Sequence, residues 1–338
     1  MADKLIGTTP CSAGLSRENL KEPEKFVAKT IESILRQTFT DFEFIIVDDG
    51  STDSTRQILQ HYAEQDARIQ LVCNEHQQGI AYSSNRALAL ARGRYIAVTD
   101  ADDISMADRL CKQVRFLDEH PDTGVVGTRV RFINAQGQEL PMVDAKPTEA
   151  GMVGWILFFG YCVAHSSAMV RREIYQQLQG YAPQYFEALD YDLWLRAGLV
   201  THLANLPDVL LAYRIHSESV SHRYRQRQHE CALLAQEKAL SAFLGKTILP
   251  EVARALSYSV KSISLLDAYR AAILLFELYR SYTQLNPLSA NVRRQVQFSF
   301  YKQLLYLILK ATGLPKIMAR LLGGSFRPLH RLANFMKF

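Results

Sequence analysis

Three carboxylates crowd one short stretch of the sequence, "YIAVTDADDIS" at 95–105. Asp100, Asp102 and Asp103 fall within four positions, directly after an apolar run. Carboxylates this close repel one another and raise each other's pKa. A divalent cation would offset the repulsion, because Mg²⁺ or Mn²⁺ binds one or two carboxylates together with the phosphates of a substrate. The alternative is a solvated turn or a helix cap, where Asp is also common.

A second acidic pair, Asp48 and Asp49, follows the apolar run "FEFIIV" and precedes Gly50. Apolar runs at 42–47, 68–73 and 95–100 predict strands, and helical spacing of apolar residues predicts helices at 26–37, 51–65 and 79–93. This alternation indicates an α/β protein with a mostly parallel sheet and helices on both faces. Ligands of such sheets bind beyond the carboxyl ends of the strands, where both acidic groups fall.

The chain has 338 residues, enough for one large or two ordinary domains. Residues 1–25 are polar and lack the apolar segment of a secretory signal. The five cysteines are odd in number and scattered, without metal-binding spacing, which is typical of reduced thiols in a cytosolic protein. We therefore predict a cytoplasmic location.

Charge is distributed unevenly along the chain. Residues 1–222 hold 21 Lys and Arg against 29 Asp and Glu, a net charge of −8, whereas residues 223–338 hold 18 against 5, a net charge of +13. From Ser281 onward there are nine basic residues and no acid. Such asymmetry indicates an anionic partner for the tail. A membrane surface is favoured over nucleic acid, because the sequence contains no nucleic-acid-binding motif.

Five ordered motifs resemble family 2 glycosyltransferases of the GT-A fold, in which a Rossmann-like sheet with flanking helices binds a nucleotide sugar. They are "SILRQTFTDFEFIIVDDGSTDST", "QGIAYSSNRALALARGRYIAVTDADD", "HSSAMVRREIYQQLQGY", "ALDYDLWLRAG" and "LAYRIHSESVS". The resemblance covers roughly residues 26–222. It implies a GT-A domain over 26–222, preceded by an atypical segment at 1–25 and followed by a basic, mainly helical region at 223–338.

The resemblance implies a metal site. The family's DxD motif matches Asp100-Ala101-Asp102, so Asp102 would bind Mg²⁺ or Mn²⁺, and Asp100 would lie near both the ribose and the metal. His216 would be a third metal ligand. Asp103 would be either a second-sphere ligand or a helix cap, and the cap is favoured.

The same resemblance implies contacts with the donor. Asp49 would accept a hydrogen bond from the nucleotide base, with an Asp-Gly turn as the alternative. Asn85 and Arg86 would face the donor, although a solvated salt bridge would explain Arg86 equally well. Arg214 would meet the diphosphate. The implied donor is a UDP- or dTDP-linked sugar.

On the acceptor side, Asp190 matches the family's general base, with an N-cap as the alternative. Asp192 matches a second acid, and Leu189 replaces a glutamate of the family pattern. His165 matches a histidine at the acceptor side, or it is structural. One base opposite the leaving group implies in-line displacement with inversion.

The N-terminus departs from the family pattern. Relatives begin with an apolar strand inside the sheet, whereas residues 1–25 contain only Leu5 and Ile6 as an apolar pair. Either residues 4–9 form a substitute strand, or the start of the chain differs from that of its relatives. Loss of an internal strand would leave backbone groups of its neighbours unpaired.

The tail contains two helical stretches, at 257–282 and 296–322. Lys and Arg interrupt their apolar runs, so neither offers the ~20 apolar residues of a membrane span. Interfacial amphipathic helices and a helical subdomain packed on the catalytic domain are both compatible with the pattern.

The sequence thus predicts an inverting, metal-dependent glycosyltransferase, cytoplasmic or peripheral at the inner face of the membrane. Its acceptor would be a saccharide or a lipid-linked saccharide of surface polysaccharide or glycoconjugate synthesis. The main alternative is a catalytically impaired GT-A domain that acts as a binding or assembly module. A sugar-phosphate nucleotidyltransferase is disfavoured, because no Gly-rich phosphate loop lies near the start.

Overall fold

The computed structural model describes residues 5–11, 24–142, 144, 146–216 and 225–312. Eight strands in this part of the chain form one mixed sheet in the order β3-β2-β1-β4-β7-β6-β8-β5. They are β1 (Leu5–Cys11), β2 (Phe42–Asp48), β3 (Ile69–Cys73), β4 (Tyr95–Val98), β5 (Ile104–Ser105), β6 (Thr123–Ile133), β7 (Met169–Arg171) and β8 (His202–Arg214). Strands β1 to β4 pair in parallel, whereas β7 pairs antiparallel with both β4 and β6.

The helices that flank the sheet are α1 (Glu24–Leu35), α2 (Thr55–Gln65), α3 (Ile80–Leu90), α4 (Arg109–Glu119), α5 (Ala150–Leu157), α6 (Arg172–Gln177) and α7 (Leu189–Gly198). Side chains alternate between the two faces of a strand, so one apolar run supplies two cores. Ile45 and Val47 pack toward α3, α5 and α7, whereas Phe44 and Ile46 pack toward α1, α2 and α4. The predicted strand–helix alternation at 26–100 is confirmed.

Strand β1 is the substitute strand, one of the two alternatives that the N-terminal sequence allowed. Its backbone pairs with β2 on one side and β4 on the other, with Leu5 opposite both Phe42 and Tyr95. The backbone groups of the two neighbouring strands are therefore paired despite the weak apolar pattern of the segment.

Four further helices follow the sheet: α8 (Arg225–Leu244), α9 (Pro250–Leu256), α10 (Leu265–Leu285) and α11 (Ala290–Thr312). Their inner faces build a third core around Trp155 and Phe159, the first of them on α5 and the second just beyond it. The indole N–H of Trp155 donates to Ser299 Oγ on α11 over 3.0 Å. Residues 225–312 thus pack against α5 and the segment that follows it. In the described part of the chain, every helix is too short or too polar to cross a bilayer.

Candidate active site

The two acidic groups follow β2 and β4, and these strands flank β1 on either side. All three strands run in parallel, so their carboxyl ends meet at one edge of the sheet. Asp48 is the last residue of β2 and Asp49 follows it, whereas Asp100 and Asp102 belong to the loop after β4. The fold therefore gathers both groups at the edge where the sequence placed a site.

Asp100 and Asp102 are the accessible members of the acidic loop, with side chains 36% and 29% exposed. Asp100 Oδ1 lies 3.2 Å from His165 Nδ1, and Asp102 Oδ2 lies 2.8 Å from His216 Nε2. Each accessible carboxylate therefore contacts one imidazole, and the two histidines are among the residues that the resemblance assigned to the site.

Asp103 is buried instead, and its Oδ1 accepts a hydrogen bond from the backbone N–H of Arg214 over 2.8 Å. Burial raises the pKa of Asp103 well above its usual range, and the charges of Asp102 and Asp100 raise it further. The interpretation as a helix cap is wrong, because α4 begins six residues later at Arg109. Asp103 joins the acidic loop to β8.

The acidic loop is held from two directions. The hydroxyl of Thr30 on α1 contacts the carbonyl oxygens of Ala101 and Asp103, at 2.9 and 2.8 Å. From β8, Arg214 donates its Nε–H to the carbonyl of Asp102 over 2.7 Å and its Nη1 to the carbonyls at 134 and 135. Its guanidinium also lies over the ring of Phe26, 4.6 Å from the centroid. Arg214 is thus a buried clamp of the loop, and the structure does not present it to a ligand.

Arg109 is a charged residue of the site that the sequence analysis missed. It is fully buried beneath the acidic loop and donates to the carbonyl of Val98 at 2.7 Å, to Ser105 Oγ and to Gln113 Oε1. Burial lowers its pKa to about 10, while Asp103 and Asp100 raise it. Arg109 therefore supplies a fixed positive charge near Asp103 and Asp100. Its helical spacing from Leu110, Gln113 and Leu117 places it on the inner face of α4, and this spacing could have predicted its burial from the sequence.

Asp49 is fully buried, and three donors surround its carboxylate. They are the side-chain amide of Asn74 at 2.6 Å, the backbone N–H of Gln78 at 2.9 Å and that of Gly79 at 2.8 Å. A carboxylate has about four lone-pair sites, so these three donors leave one acceptor position of Asp49 over. Asp49, at the end of β2, thus organises the 74–79 loop that follows β3.

Gly50 follows in the left-handed region, with φ of +76°, and a Cβ atom there would meet the backbone of Gln77 at 2.7 Å. The backbone of the 76–77 segment therefore approaches residue 50 more closely than a side chain would allow. Asp48 is the structural acid of the pair, since its Oδ2 accepts from Arg56 Nε over 2.6 Å.

Asn85 and Arg86 lie on α3 and are occupied by protein partners. The amide of Asn85 bonds both backbone groups of Tyr181, donating to its carbonyl over 2.9 Å and accepting from its N–H over 2.8 Å. Arg86 donates to the side-chain oxygen of Asn74 and to the carbonyl of Cys73. Asn85 therefore fixes the 181 segment, whereas Arg86 braces the loop that surrounds Asp49.

Asp190 lies in the first turn of α7, where its Oδ1 accepts from the N–H of Tyr191 over 2.8 Å. Burial raises the pKa of Asp190, while the nearby His165 lowers it and Asp100 raises it. These charges place Asp190, His165 and Asp100 in one electrostatic cluster. The ring of Tyr161 borders the same cluster and stacks on Tyr191, 4.5 Å between centroids.

Asp192 has a different setting, although it is only two residues away. Its Oδ2 accepts from Arg196 Nε and Nη2, at 2.9 and 2.7 Å, and burial raises its pKa while Arg196 lowers it. Residues two apart on a helix face in different directions. Asp192 is therefore part of an internal ion pair, whereas Asp190 belongs to the acidic cluster.

His165 connects the acidic loop to two buried tyrosines. Its Nε2 lies 2.9 Å from the hydroxyl of Tyr181, which in turn lies 3.2 Å from that of Tyr175. Burial lowers the pKa of His165, but Asp100 and Asp190 outweigh it, so the pKa lies above its ordinary value. A histidine in this position orients Asp100 and adds positive charge between two acids.

The donor set of the loop fits a divalent cation. Among the described residues, no group of three or more His, Cys, Asp and Glu side chains is arranged to hold a metal ion by itself. Asp100 and Asp102 nevertheless offer accessible carboxylate oxygens, and Mg²⁺ is often bound by one or two carboxylates plus substrate phosphates. The residues present therefore suit a cation that arrives with a diphosphate.

Residues 19–179 match the family model "Glycosyl transferase family 2". The O-antigen biosynthesis glycosyltransferase WbnJ of Escherichia coli is 32% identical over 247 residues, 71% of this chain and 92% of that protein. UDP-Glc:alpha-D-GlcNAc-diphosphoundecaprenol beta-1,3-glucosyltransferase WfaP, also of Escherichia coli, is 31% identical over 57% of this chain and 73% of that protein. The chain belongs to glycosyl transferase family 2.

Among solved structures, the mannosyltransferase PcManGT of Pyrobaculum calidifontis, in complex with GDP-Man and Mn²⁺, superposes with a TM-score of 0.57. The match covers 91% of this chain and 86% of that one, at 18% identity, and it shows the likeness of fold. The predicted GT-A-like α/β fold with a C-terminal helical region is confirmed. The protein is a glycosyltransferase, with homologues in O-antigen and polysaccharide synthesis.

Proposed function

We propose that this glycosyltransferase moves a hexosyl group from a nucleotide-diphosphate sugar to a hydroxyl acceptor with inversion at the anomeric carbon. The observation that carries the proposal is the cluster of Asp100, Asp102, His165 and Asp190 at one edge of the sheet. It combines two accessible carboxylates with a separate, half-buried acid whose pKa is raised. Those are the components that leaving-group stabilisation and proton removal require.

Asp102 and Asp100 would hold Mg²⁺ or Mn²⁺, with His216 as a further ligand. The cation would supply Lewis-acid stabilisation of the departing diphosphate. The Mn²⁺ in the PcManGT complex supports the use of a divalent cation. Arg109 and Arg214 would offset the negative charge of the loop and hold its carboxylates in place before the donor binds.

Asp190 would act as the general base. A sugar hydroxyl is a weak nucleophile until a base takes its proton in the transition state, and a base works best when its pKa approaches the operating pH. Burial moves the pKa of Asp190 in that direction. Asp190 would accept the proton as the acceptor oxygen attacks the anomeric carbon, and one such displacement inverts the anomeric configuration. Leu189 in place of glutamate leaves this base intact.

The proposed donor is a UDP- or dTDP-linked sugar, and the proposed acceptor is a saccharide or a lipid-linked saccharide. The name of WfaP, a UDP-Glc-dependent enzyme acting on a diphosphoundecaprenol-linked sugar, supports both. Asp49 would use its remaining acceptor position for the nucleotide base. His165 and Asp192 would belong to the acceptor side, where Asp192 acts through its bond to Arg196. We place the enzyme in the cytoplasm, at the inner face of the membrane.

For the other predicted donor contacts, the structure favours indirect roles. Asn85 would shape the donor side by fixing Tyr181, and Arg86 by bracing Asn74. Arg214 would act on the diphosphate only through the acidic loop, because its guanidinium is bonded to three backbone carbonyls.

Two variants test the proposal by separating its two halves. Asp102→Ala should abolish Mn²⁺-dependent binding of UDP in calorimetry and lower kcat/KM at least ~10²-fold, because a principal charge stabiliser is lost. Asp190→Asn should keep UDP affinity within a few-fold and lower transfer ~10²–10⁴-fold. Unchanged metal dependence in the first variant, or near parental transfer in the second, would contradict these roles. Metal-dependent UDP binding without turnover in the parent would favour a binding module instead.

A further inference from the structure

The outer surface of the C-terminal helices carries a group of exposed apolar side chains. Nine of them, each 46% to 73% exposed, form what we call the apolar face: Leu265, Leu266, Tyr269, Ile273, Phe276, Phe298, Tyr301, Leu305 and Ile308. Exposed apolar patches of this kind on a folded domain mark interaction sites, whereas apolar residues that are scattered singly need no explanation.

Helical geometry puts these residues side by side. On α10, Leu266, Tyr269, Ile273 and Phe276 recur every three or four residues, and on α11 the same spacing links Phe298, Tyr301, Leu305 and Ile308. The two helices are consecutive and joined by a short connection, and Phe276 packs against Phe300, 4.9 Å between centroids. The two helices therefore pack together, and each presents its exposed apolar side chains on the side opposite its buried ones.

The charges around this face select the class of partner. Both acids of the two helices have internal partners: Asp267 accepts from Ser264 at the start of α10, and Glu277 pairs with Lys246. In the part of the chain that the structure describes, the cations Arg270, Arg293 and Arg294 lie in no ion pair. The chain beyond Thr312 adds five Lys and Arg residues and no acid. The face is thus apolar, with unpaired positive charge around it.

A second copy of the chain fits this surface poorly. A two-fold interface places the same patch against itself, so Arg270, Arg293 and Arg294 would meet their own counterparts. Like charges brought together in an interface oppose association. An anionic bilayer avoids the conflict, because its headgroups match the cations while the acyl boundary accepts Leu, Ile, Phe and Tyr side chains.

We propose that the apolar face of α10 and α11 docks on an anionic lipid bilayer. This inference rests on the proposed function in one respect, since a lipid-linked acceptor would be reached from the membrane surface. The same two helices pack on α5, which leads into the segment that carries His165. A bilayer against the apolar face would therefore hold the proposed acceptor side of the site at a fixed distance from the membrane.

The test is flotation of the full chain with vesicles of phosphatidylcholine containing about a third phosphatidylglycerol, against vesicles of phosphatidylcholine alone. The parent should bind the anionic vesicles at low salt and release from them as salt rises. Phe298→Glu with Leu305→Glu should lower binding at least ~10-fold, since apolar contacts are lost and two like charges face the lipid. Val209→Glu is the matched control, because Val209 is 46% exposed on β8, outside the apolar face. It should bind like the parent.

Two further variants test the electrostatic contribution to vesicle binding. Arg293→Gln and Arg294→Gln should each weaken binding to the anionic vesicles by about 5-fold and leave the weak binding to neutral vesicles unchanged. Parent protein that ignores anionic vesicles at low salt, or a Phe298→Glu/Leu305→Glu variant that binds like the parent, would overturn the proposal. A parent dimer in light scattering that these substitutions convert to monomers, without vesicle binding, would assign the face to a second copy.

Hydrolysis of a nucleotide sugar in vesicle-free buffer separates this inference from the enzymatic one. The face variants should hydrolyse the donor at the parental rate, which also shows that they are folded. Vesicle binding in a protein that turns over no nucleotide sugar would leave the docking surface standing while the proposed function fails.

Discussion

Replacement of Lys310 should change how stability depends on pH. Lys310 lies on α11, is 4% exposed, and donates Nζ hydrogens to the carbonyls of Ala255 and Ser257 over 2.8 and 2.7 Å. Its ammonium also lies 4.3 Å from the centroid of the Tyr306 ring. In the described part of the chain it has no carboxylate partner. Burial lowers the pKa of Lys310 to about 7, from 10.5 in an unfolded chain.

The sign follows from proton linkage. Between about pH 7 and pH 10.5 the unfolded chain keeps the proton on this lysine while the folded chain releases it, so the free energy of unfolding rises with pH. One proton corresponds to about 1.4 kcal/mol per pH unit, or about 2 kcal/mol from about pH 7.5 to pH 9. The two carbonyls and the Tyr306 ring stabilise the charged form of Lys310. They therefore raise the lower limit of the pH range in which stability increases.

Urea denaturation of the parent and of Lys310→Met at several pH values measures this contribution. Other groups that titrate in the window cancel in the difference between the two proteins. The parent should gain about 2 kcal/mol relative to Lys310→Met as pH rises across the window. Lys261→Met, which removes an exposed lysine before α10, controls for the loss of a charge. A constant difference between parent and Lys310→Met would show that Lys310 stays protonated in the folded protein, and the reasoning would fail.

Two further predictions concern the acidic cluster. Burial raises the pKa of Asp190, and a general base must be deprotonated to act. As pH drops, kcat/KM should therefore fall at a pH above the ordinary aspartate pKa near 4. A pH–rate profile in which kcat/KM falls only near pH 4 would show that Asp190 is not the base. Arg109→Met should lower the free energy of unfolding by about 3–5 kcal/mol in urea titrations, because the Val98 carbonyl and the Asp103 carboxylate lose a buried cation. Arg109→Lys should recover part of that loss, and a cost below about 1 kcal/mol for Arg109→Met would mean that Asp103 is neutral and needs no counter-charge.

The parts of the fold that rest on apolar runs could be predicted. Strands β2 and β4 are buried on both faces, and internal parallel strands read as continuous apolar segments. Strand β1 carries glycine, threonine and proline in "LIGTTPC", so its own sequence predicts a loop. Its place in the sheet comes from the backbone groups that β2 and β4 present to it, and that information lies elsewhere in the chain.

For the site, residue types were predictable and partners were not. The sequence marks Asp49, Asp100, Asp102 and Asp190 because acids follow strands or open a helix. It does not tell which carbonyls a long side chain will reach, so Arg214 was predicted to meet the diphosphate and lies instead as a clamp on the acidic loop. Arg109 was overlooked because a charged residue on a helix is usually solvated.

The clamp between β8 and the acidic loop also has a consequence for the order in which the site is completed. Asp103 and Arg214 are 111 residues apart, so the bond between them can form only after β8 has been made. During synthesis, Thr30 and Arg109 are available to the acidic loop first, and the support from β8 is added last. The family-model match, which ends at residue 179, contains the proposed metal-binding acids but neither the proposed base at 190 nor this clamp. A fragment with those limits would carry the motif while lacking the part of its support that comes from β8.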